Sequence, residues 1–196
     1  MGFYPPKISK SFSAPENAGQ LPGANASGTN ATFVCGAILR IGLQIENGTI
    51  LRAKFQTDGC GYLIAAADIL TEIIKGKKLA ELHSLRKQIL RARIENELGA
   101  FGEHRRHCLD LCLECLQNAL ANFRASQVVE WTGEKALICS CFGVSEDKIE
   151  NLVKEKSLST IEEVTELCNA GGGCGSCQFL IQEILDNYQI DHYSEN

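Results

Sequence analysis

Alternating apolar and polar positions predict a pair of strands in the first third of the chain. The segments 33–46 (FVCGAILRIGLQIE) and 49–57 (TILRAKFQT) carry apolar residues at alternate positions, the period of a half-buried strand. Asn47 and Gly48 lie between them, and both residue types tolerate the positive φ that a two-residue hairpin turn requires. We therefore predict an antiparallel hairpin. The preceding segment 13–31, rich in Gly, Pro, Ala and Asn, is predicted to be an extended loop.

A helical period follows Cys60. The first helix is predicted over about 62–75, and two more over about 79–97 and 104–124. The apolar face of the first helix consists of Leu63, Ala67, Leu70 and Ile74. Strands followed by helices indicate an α+β domain with an antiparallel sheet.

Shorter helices are predicted past Trp131. Ser145 is expected to cap a helix that runs to about Lys156. Ser159 and Glu162 fit a capping box for a second helix, which we expect to end at the glycines 171–173. The last helix covers 178–188, so this part of the chain is predicted to be all-α.

The distribution of charge predicts two domains. The net charge is −5, yet residues 131–196 hold 12 Asp and Glu against only 4 Lys and Arg. We place the junction near VVEWTGEK (128–135) and the domains over 1–130 and 135–190. No basic stripe with interleaved aromatic residues indicates a nucleic-acid partner, and no apolar run is long enough to span a membrane.

The chain contains 10 cysteines. Its first residues, MGFYPPKISK, show no apolar signal core, so we expect a cytoplasmic protein. In a reducing compartment, clustered cysteines more often bind metal or react than form disulfides.

Four cysteines form two close pairs. Cys139 and Cys141 form a C-x-C motif, and Cys174 and Cys177 form a C-x-x-C motif just before the last helix. Four thiolates suit either zinc or an iron–sulfur cluster. Structural zinc sites usually present two C-x2–4-C knuckles, so the C-x-C pair favours something larger than a single ion.

The residues around this quartet carry a family resemblance. The stretch from ALICSCFGVSEDKIENLV through STIEEVTELCNAGGGCGSCQFLIQEIL resembles the 2Fe–2S domain of bacterioferritin-associated ferredoxins, and still more the middle domain of NifU-type proteins. The resemblance implies that Cys139, Cys141, Cys174 and Cys177 hold a stable, redox-active 2Fe–2S cluster. A structural zinc site is the alternative.

Three further cysteines, Cys35, Cys60 and Cys108, lie far apart in sequence. Continuing the Asn47-Gly48 hairpin outward places Cys35 opposite Cys60, provided that no bulge shifts the register. Cys108 follows His107 near the start of a predicted helix. From spacing alone, a metal site and three buried, inert cysteines remain equally open.

A second resemblance covers these residues. The stretches APENAG (14–19), 35–77 and His107-Cys108 are similar to the IscU-type scaffold domain that begins NifU. Nearly the whole chain therefore resembles a NifU-type iron–sulfur cluster assembly protein. The resemblance implies an IscU-like fold and a carrier rather than an enzyme, with a role in nitrogen fixation or in housekeeping assembly.

The same resemblance implies a set of ligands and partners. Cys35, Cys60 and Cys108 would hold iron or a transient cluster, with His107 as an additional ligand and zinc as another metal that could bind. A cysteine desulfurase of the NifS or IscS kind would supply persulfide sulfur, and apo iron–sulfur proteins would receive the cluster.

The chain departs from the family pattern at the first site. Ala37 stands where such scaffolds usually have the Asp of C-G-D, so an oxygen ligand is missing. Asp58 is predicted to supply the missing carboxylate, the alternative being a solvated loop acid. The missing ligand also makes a homodimer plausible. His104, Arg105 and Arg106 replace a Pro-rich chaperone segment, and we read them as a solvated helix start close enough to lower the pKa of Cys108.

Two other functions remain open at this stage. One is an electron-transfer protein, in which the first domain is a degenerate docking platform. The other is a zinc-bound modulator of a cysteine desulfurase. The remaining cysteines are predicted to pack in cores: Cys112, Cys115 and Cys168.

Overall fold

The computed structural model describes residues 4–84, 87–129 and 136–193. The chain forms two compact units, Met1–Lys77 with Leu85–Phe123, and Lys78–Ser84 with Arg124–Asn196. The junction predicted near VVEWTGEK lies, from residue 130 to 135, outside the described residues. Within the described ranges, no helix has the length and apolar character needed to cross a membrane.

The first unit is built on a three-stranded antiparallel sheet. Its strands are, in spatial and chain order, β1 (Ala26–Ala31), β2 (Ile38–Glu46) and β3 (Thr49–Thr57). The predicted hairpin turn is confirmed, with φ of 48° at Asn47 and 69° at Gly48. Apolar side chains of β2 alternate with polar ones, and Leu39, Ile41 and Leu43 are fully buried on the inner face.

The prediction of a loop over 13–31 is wrong for β1. The sequence of β1, ASGTNA, lacks the β-branched and aromatic residues that usually indicate a strand. Its small residues serve a tertiary contact instead: a Cβ at Gly28 would lie 2.3 Å from the Cys115 carbonyl oxygen. Close packing of β1 on a helix backbone therefore determines this strand, and the local sequence pattern does not show it.

The first strand of the hairpin starts later than predicted, at Ile38. Residues 32–36 form a turn instead, in which Gly36 donates its N–H to the Thr32 carbonyl oxygen at 2.9 Å. Gly36 has φ of 73°, which suits glycine. A bulge between Gln44 and Ile45 then shifts the register of the β2–β3 ladder by one residue.

Five helices lie within the described residues up to 129: α1 (Pro6–Ser13), α2 (Gly61–Ile74), α3 (Leu79–Ser84), α4 (Lys87–Leu98) and α5 (Arg106–Val129). The helix predicted over 62–75 is confirmed as α2, and its predicted apolar face is fully buried. The helix predicted over 79–97 falls on α3 and α4, with residues 85–86 outside the described ranges. The one predicted over 104–124 is α5, which follows a single 3-10 turn at Glu103–Arg105. Helix α1 was not predicted, although a proline at its first position is a known start signal.

The second unit contains a two-stranded ladder besides its helices. Strands β4 (Leu137–Cys139) and β5 (Val144–Ser145) pair antiparallel, which the all-α prediction missed because both are only two or three residues long. The helices that follow are α6 (Glu146–Lys156), α7 (Ile161–Cys168) and α8 (Gln178–Tyr193). Their shared core includes Ile149, Val153, Val164, Ile181 and Leu185.

The helix caps of the second unit partly match the prediction. The Ser145 hydroxyl accepts the Lys148 N–H, so this cap is confirmed. The capping box lies one residue later than predicted, because Thr160 rather than Ser159 is the cap and Glu163 closes the box. Helix α7 ends at Cys168 and is capped by Asn169, which has φ of 62°, so it does not extend to the glycines 171–173.

Candidate metal centres

The first candidate site brings together two of the three predicted cysteines, Cys60 and Cys108, and the third, Cys35, is near enough for its charge to affect the pKa of Cys108. Cys35 is exposed in the 32–36 turn, Cys60 caps the start of α2, and Cys108 is buried in the first turn of α5. The Cys60 and Cys108 Sγ atoms lie 4.0 Å apart. The fold thus brings together two thiols that are 48 positions apart in sequence.

The register argument for Cys35 fails. Because of the bulge, β3 is shifted by one residue against β2, and the ladder ends at the Leu39–Thr57 pair. Cys35 lies in the turn beyond that end, so it is not a cross-strand partner of Cys60. It is nevertheless close enough to the site that its negative charge raises the pKa of Cys108.

Burial is the largest influence on the pKa of the Cys108 thiol. It raises the pKa of the thiol to about 12, and the charge and hydrogen bond of Cys60 act in the same direction. The nearby Arg105 lowers this pKa, but its effect is smaller than that of burial. The expected lowering by a cationic residue is therefore present, but burial outweighs it and the net shift of the Cys108 pKa is upward. In the metal-free protein this thiol keeps its proton at neutral pH.

Two neighbours of the thiol pair carry polar nitrogen atoms. The His107 Nε2 atom lies 3.6 Å from the Cys108 Sγ atom. A guanidinium nitrogen of Arg105 lies 4.0 Å from the Cys60 Sγ atom, and the same group stacks over the Tyr62 ring at 5.4 Å. From the sequence, Arg105 was interpreted as part of a solvated helix start. The only feature of the sequence that links Arg105 to the site is its position three residues before Cys108, about one helical turn away.

Asp58 has a structural partner in this region. Its Oδ1 atom accepts the Ile38 N–H at 2.8 Å, which ties the start of β2 to the loop after β3. Gly59, the next residue, has no room for a side chain, since a Cβ would lie 2.4 Å from the Leu63 side chain. Ala37 is buried and offers no ligand atom. Asp58 as a metal ligand stays a prediction.

The other cysteines of α5 pack in the core, as predicted. Cys112 and Cys115 are fully buried. The Cys115 thiol donates to the Gly28 and Leu39 carbonyl oxygens, each at 3.2 Å. Cys168 of α7 is also buried, and its thiol donates to the Val164 carbonyl oxygen at 3.2 Å.

The second candidate site brings the two cysteine motifs of the second unit face to face. The Cys141 and Cys174 Sγ atoms lie 3.5 Å apart, and Cys177 is close enough to Cys139 to raise the pKa of that thiol. Each close pair therefore takes one cysteine from each motif. All four line one cavity of about 80 Å³.

The loops around the four cysteines pack closely against one another. A Cβ at Gly173 would lie 3.0 Å from both the Cys141 Cβ atom and the Phe142 ring. The Gln178 amide donates to the Gly171 carbonyl oxygen at 3.0 Å and so ties the glycine loop to α8. Cys177 directly precedes α8, whose first N–H groups and dipole favour negative charge.

The thiols of the quartet differ in acidity. Burial raises the pKa of Cys139 and that of Cys141. The hydrogen bonds of Ser176, first through its hydroxyl at 3.2 Å and then through its backbone N–H, lower the pKa of Cys174 to about 7. Cys174 is exposed, so it is the thiolate of this site that solvent and metal reach first.

The residues of the quartet fit a 2Fe–2S cluster. Two thiolates on one tetrahedral metal are roughly 3.8 Å apart when metal–sulfur bonds are about 2.3 Å, close to the 3.5 Å between Cys141 and Cys174. A 2Fe–2S cluster needs two such pairs, and the quartet offers two. Within the ranges that the structure describes, no three His, Cys, Asp or Glu side chains form a group that could hold a single metal ion.

Comparison with known proteins now identifies the family. Residues 3–130 match the family model of the NifU-like N terminal domain. The chain belongs to this NifU-like family. Residues 137–187 match the model of the BFD-like 2Fe-2S binding domain, so the match covers both candidate sites.

Individual relatives agree with this family. The nitrogen fixation protein NifU of Trichormus azollae is 35% identical over 203 residues, which cover 98% of this chain and 66% of that protein. The iron-sulfur cluster assembly scaffold protein IscU of Aquifex aeolicus is 32% identical over 152 residues, covering 76% of this chain and 92% of that protein. This chain thus spans 66% of the length of the NifU relative.

A solved structure supports the fold. The crystal structure of the N-terminal part of a NifU-like protein from Brucella abortus aligns with a TM-score of 0.50 and 15% identity, covering 62% of this chain and 94% of that chain. The predicted α+β class is confirmed, with an IscU-like N-terminal domain followed by a helical one.

The acidity of Cys174 is testable in metal-free protein. We expect Cys174 to be alkylated by iodoacetamide before the other quartet cysteines, with a half-maximal rate near pH 7, because Ser176 stabilises its thiolate. Ser176→Ala should move this midpoint to higher pH. Rates at each cysteine are measured by mass spectrometry. An unchanged midpoint in Ser176→Ala would show that the Ser176 hydroxyl does not set this acidity.

Proposed function

We propose that this chain is an iron–sulfur cluster assembly scaffold with a resident 2Fe–2S centre. Its first domain, residues 1–130, builds a transient cluster and transfers it to apo-proteins, and its second, residues 135–190, holds the permanent cluster. Relatives named NifU and IscU support this role. The observation that carries it is the Cys60–Cys108 thiol pair, 4.0 Å apart, with the exposed Cys35 near enough for its charge to raise the pKa of Cys108.

The residues at the proposed transient-cluster site have different roles in binding iron. Cys108 is protonated when the site is empty, so iron binding displaces its proton. The His107 Nε2 atom, 3.6 Å away, is within reach to accept that proton or to bind iron itself. Arg105 offsets part of the negative charge that accumulates on Cys60. The permanent cluster would be held by Cys139, Cys141, Cys174 and Cys177, where it supplies one-electron redox chemistry.

Cys35 is the proposed entry point for sulfur. Its thiolate attacks the outer sulfur of a persulfide on a cysteine desulfurase, which forms a new S–S bond at Cys35 and releases the donor cysteine as a thiolate. The neighbours of Cys35 suit contact with such a protein, because Phe33 and Val34 are 106% and 72% exposed. Exposed apolar side chains on a turn are typical of binding surfaces.

The first candidate site offers fewer than four cysteine ligands. Three cysteines leave a metal one ligand short of four, so a homodimer or an added ligand, Asp58 or His107, would complete it. Zinc is the metal that would most readily replace iron on these thiolates. All ten cysteines are free thiols, which suits the cytoplasm. The cluster is cargo that leaves the protein, so the chain acts as a carrier and not as an enzyme.

An electron-transfer function is the second candidate. Phe179 and Leu180, 77% and 41% exposed, lie two and three residues after Cys177, and Leu180 lines the cavity of the quartet. A redox partner could dock on these exposed apolar side chains. In that case the first domain would not load or transfer a cluster, which separates the two functions.

The scaffold function predicts the effect of removing the first site. We expect Cys35→Ser/Cys60→Ser/Cys108→Ser to lose cluster loading by a desulfurase, cysteine, ferrous iron and dithiothreitol, while keeping the permanent cluster. Dithiothreitol supplies the two electrons that reduce each persulfide sulfur to sulfide. The loss should be on the order of 100-fold or more, because even outer partners of a metal site contribute 10–100-fold. Loading and transfer to an apo-ferredoxin are followed anaerobically by visible circular dichroism.

The matched control is Cys112→Ala, which removes a buried thiol one helical turn from Cys108. It should load and transfer as the wild type does. If the wild type loads no cluster beyond the permanent one, the scaffold function is wrong and the electron-transfer function replaces it.

Asp58 has its own test, because its two roles separate chemically. Asp58→Asn keeps an oxygen that can accept the Ile38 N–H but removes the carboxylate. If Asp58 is a ligand, Asp58→Asn should weaken ferrous iron binding at the first site about tenfold or more, with thermal stability unchanged. Binding is measured by titration of metal-free protein. Wild-type iron affinity in Asp58→Asn, with loss only in Asp58→Ala, would assign Asp58 to the backbone alone.

A further inference from the structure

A short chain segment crosses the outer face of the sheet in the first unit. Residues 17–19 run beside β3, where Gly19 donates to the Phe55 carbonyl oxygen and Phe55 donates to the Asn17 carbonyl oxygen. The chain then crosses over β2 to reach β1 on the opposite edge. We name residues 19–24 the arch. It packs against the sheet at Gly42, where a Cβ would lie 3.5 Å from the Leu21 and Ala24 Cβ atoms.

Two asparagines fix the ends of the arch. Asn17 donates its N–H to Asp68 Oδ1 at 2.9 Å, which anchors the first end to α2. At the other end Asn25 exchanges two side-chain hydrogen bonds with the Ile45 backbone, at 2.7 and 2.8 Å. The arch therefore holds its shape without a ligand, and the space beneath it is preformed.

The space between the arch and the sheet is a crevice of about 260 Å³. Its polar side chains from the sheet are Ser27, Arg40, Lys54 and Gln56. Strand register puts Arg40 opposite Gln56 and Lys54 opposite Gly42, so the two cations are diagonal neighbours on one face. Diagonal residues are about 7–8 Å apart, a separation that one small ligand can span. We name this space the cationic crevice.

The charge of the cationic crevice is not balanced by the protein. None of its lining residues is acidic, although the chain carries a net charge of −5. Lys54 contacts only the Ala18 carbonyl oxygen, at 3.4 Å, within the described residues. The Arg40 side chain has neither an ion pair nor a hydrogen bond within those same ranges. Two uncompensated like charges on one face repel each other, and an anion between them would remove that cost.

We propose that the cationic crevice binds a small oxyanion with two negative charges, of the phosphate or dicarboxylate class. Arg40 binds two of its oxygens through the guanidinium fork, and Lys54 adds a point charge from the next strand. Ser27 and Gln56 offer further hydrogen-bond donors. The volume lies just below the range of drug-sized pockets, so the ligand is a small molecule or a single terminal group.

Binding is tested on the full chain with three probes at equal ionic strength: inorganic phosphate, malonate and chloride. Isothermal titration and thermal unfolding should show saturable binding of phosphate or malonate to the wild type, and none of chloride. Arg40→Gln/Lys54→Met should lose at least about tenfold in affinity, since two charge-assisted contacts are removed. Whichever of phosphate and malonate binds more tightly identifies the class of the ligand.

The matched control is Arg52→Gln. Arg52 lies on β3, two residues from Lys54 and on the same face, but it does not line the crevice. It should keep the wild-type affinity. The proposal is overturned if no probe binds the wild type, if chloride has the same effect as the dianions, or if Arg52→Gln loses as much affinity as the double variant.

Discussion

The contact between β1 and α5 is the constraint on which the first site depends. Gly28 allows the two backbones to approach so closely that any side chain at this position would overlap the α5 backbone. The Cys115 thiol then hydrogen-bonds the Gly28 and Leu39 carbonyl oxygens, which joins α5 to both β1 and β2. With α5 fixed along the sheet, its first turn brings Cys108 to within 4.0 Å of Cys60.

The two candidate sites differ in the physical features that decide how firmly a metal centre is held. The first combines a buried thiol of raised pKa with an exposed Cys35 on a turn, so its ligands are unequal and one side faces solvent. The second offers two thiol pairs across a small cavity, closed by glycines and followed by a helix start. A site whose ligands are unequal suits a cluster that leaves, and a site with two opposed thiol pairs suits one that stays.

Sequence patterns correctly predicted those elements whose structure depends on residues close together in the chain. The Asn47-Gly48 turn, the buried face of α2 and the Ser145 cap are each encoded by residues within one turn or one helix. Strand β1 and the position of Cys35 depend on features that no local pattern indicates. Strand β1 depends on the close approach of its backbone to that of α5, and the position of Cys35 depends on a bulge in the β2–β3 ladder. The contacts of Arg105 with Tyr62 and Cys60 were not predicted for the same reason, since these two residues lie at a different helix.

The central claim is that one chain carries two iron–sulfur sites of different lability. The most direct measurement is the loss of iron and acid-labile sulfide from anaerobically loaded protein after a strong iron chelator is added. The account predicts about two irons per chain that resist the chelator, as a 2Fe–2S cluster requires, and a further fraction that is lost quickly. Cys139→Ser/Cys177→Ser should remove only the resistant fraction. A single phase of loss, or disappearance of the fast fraction in that variant, would contradict the account.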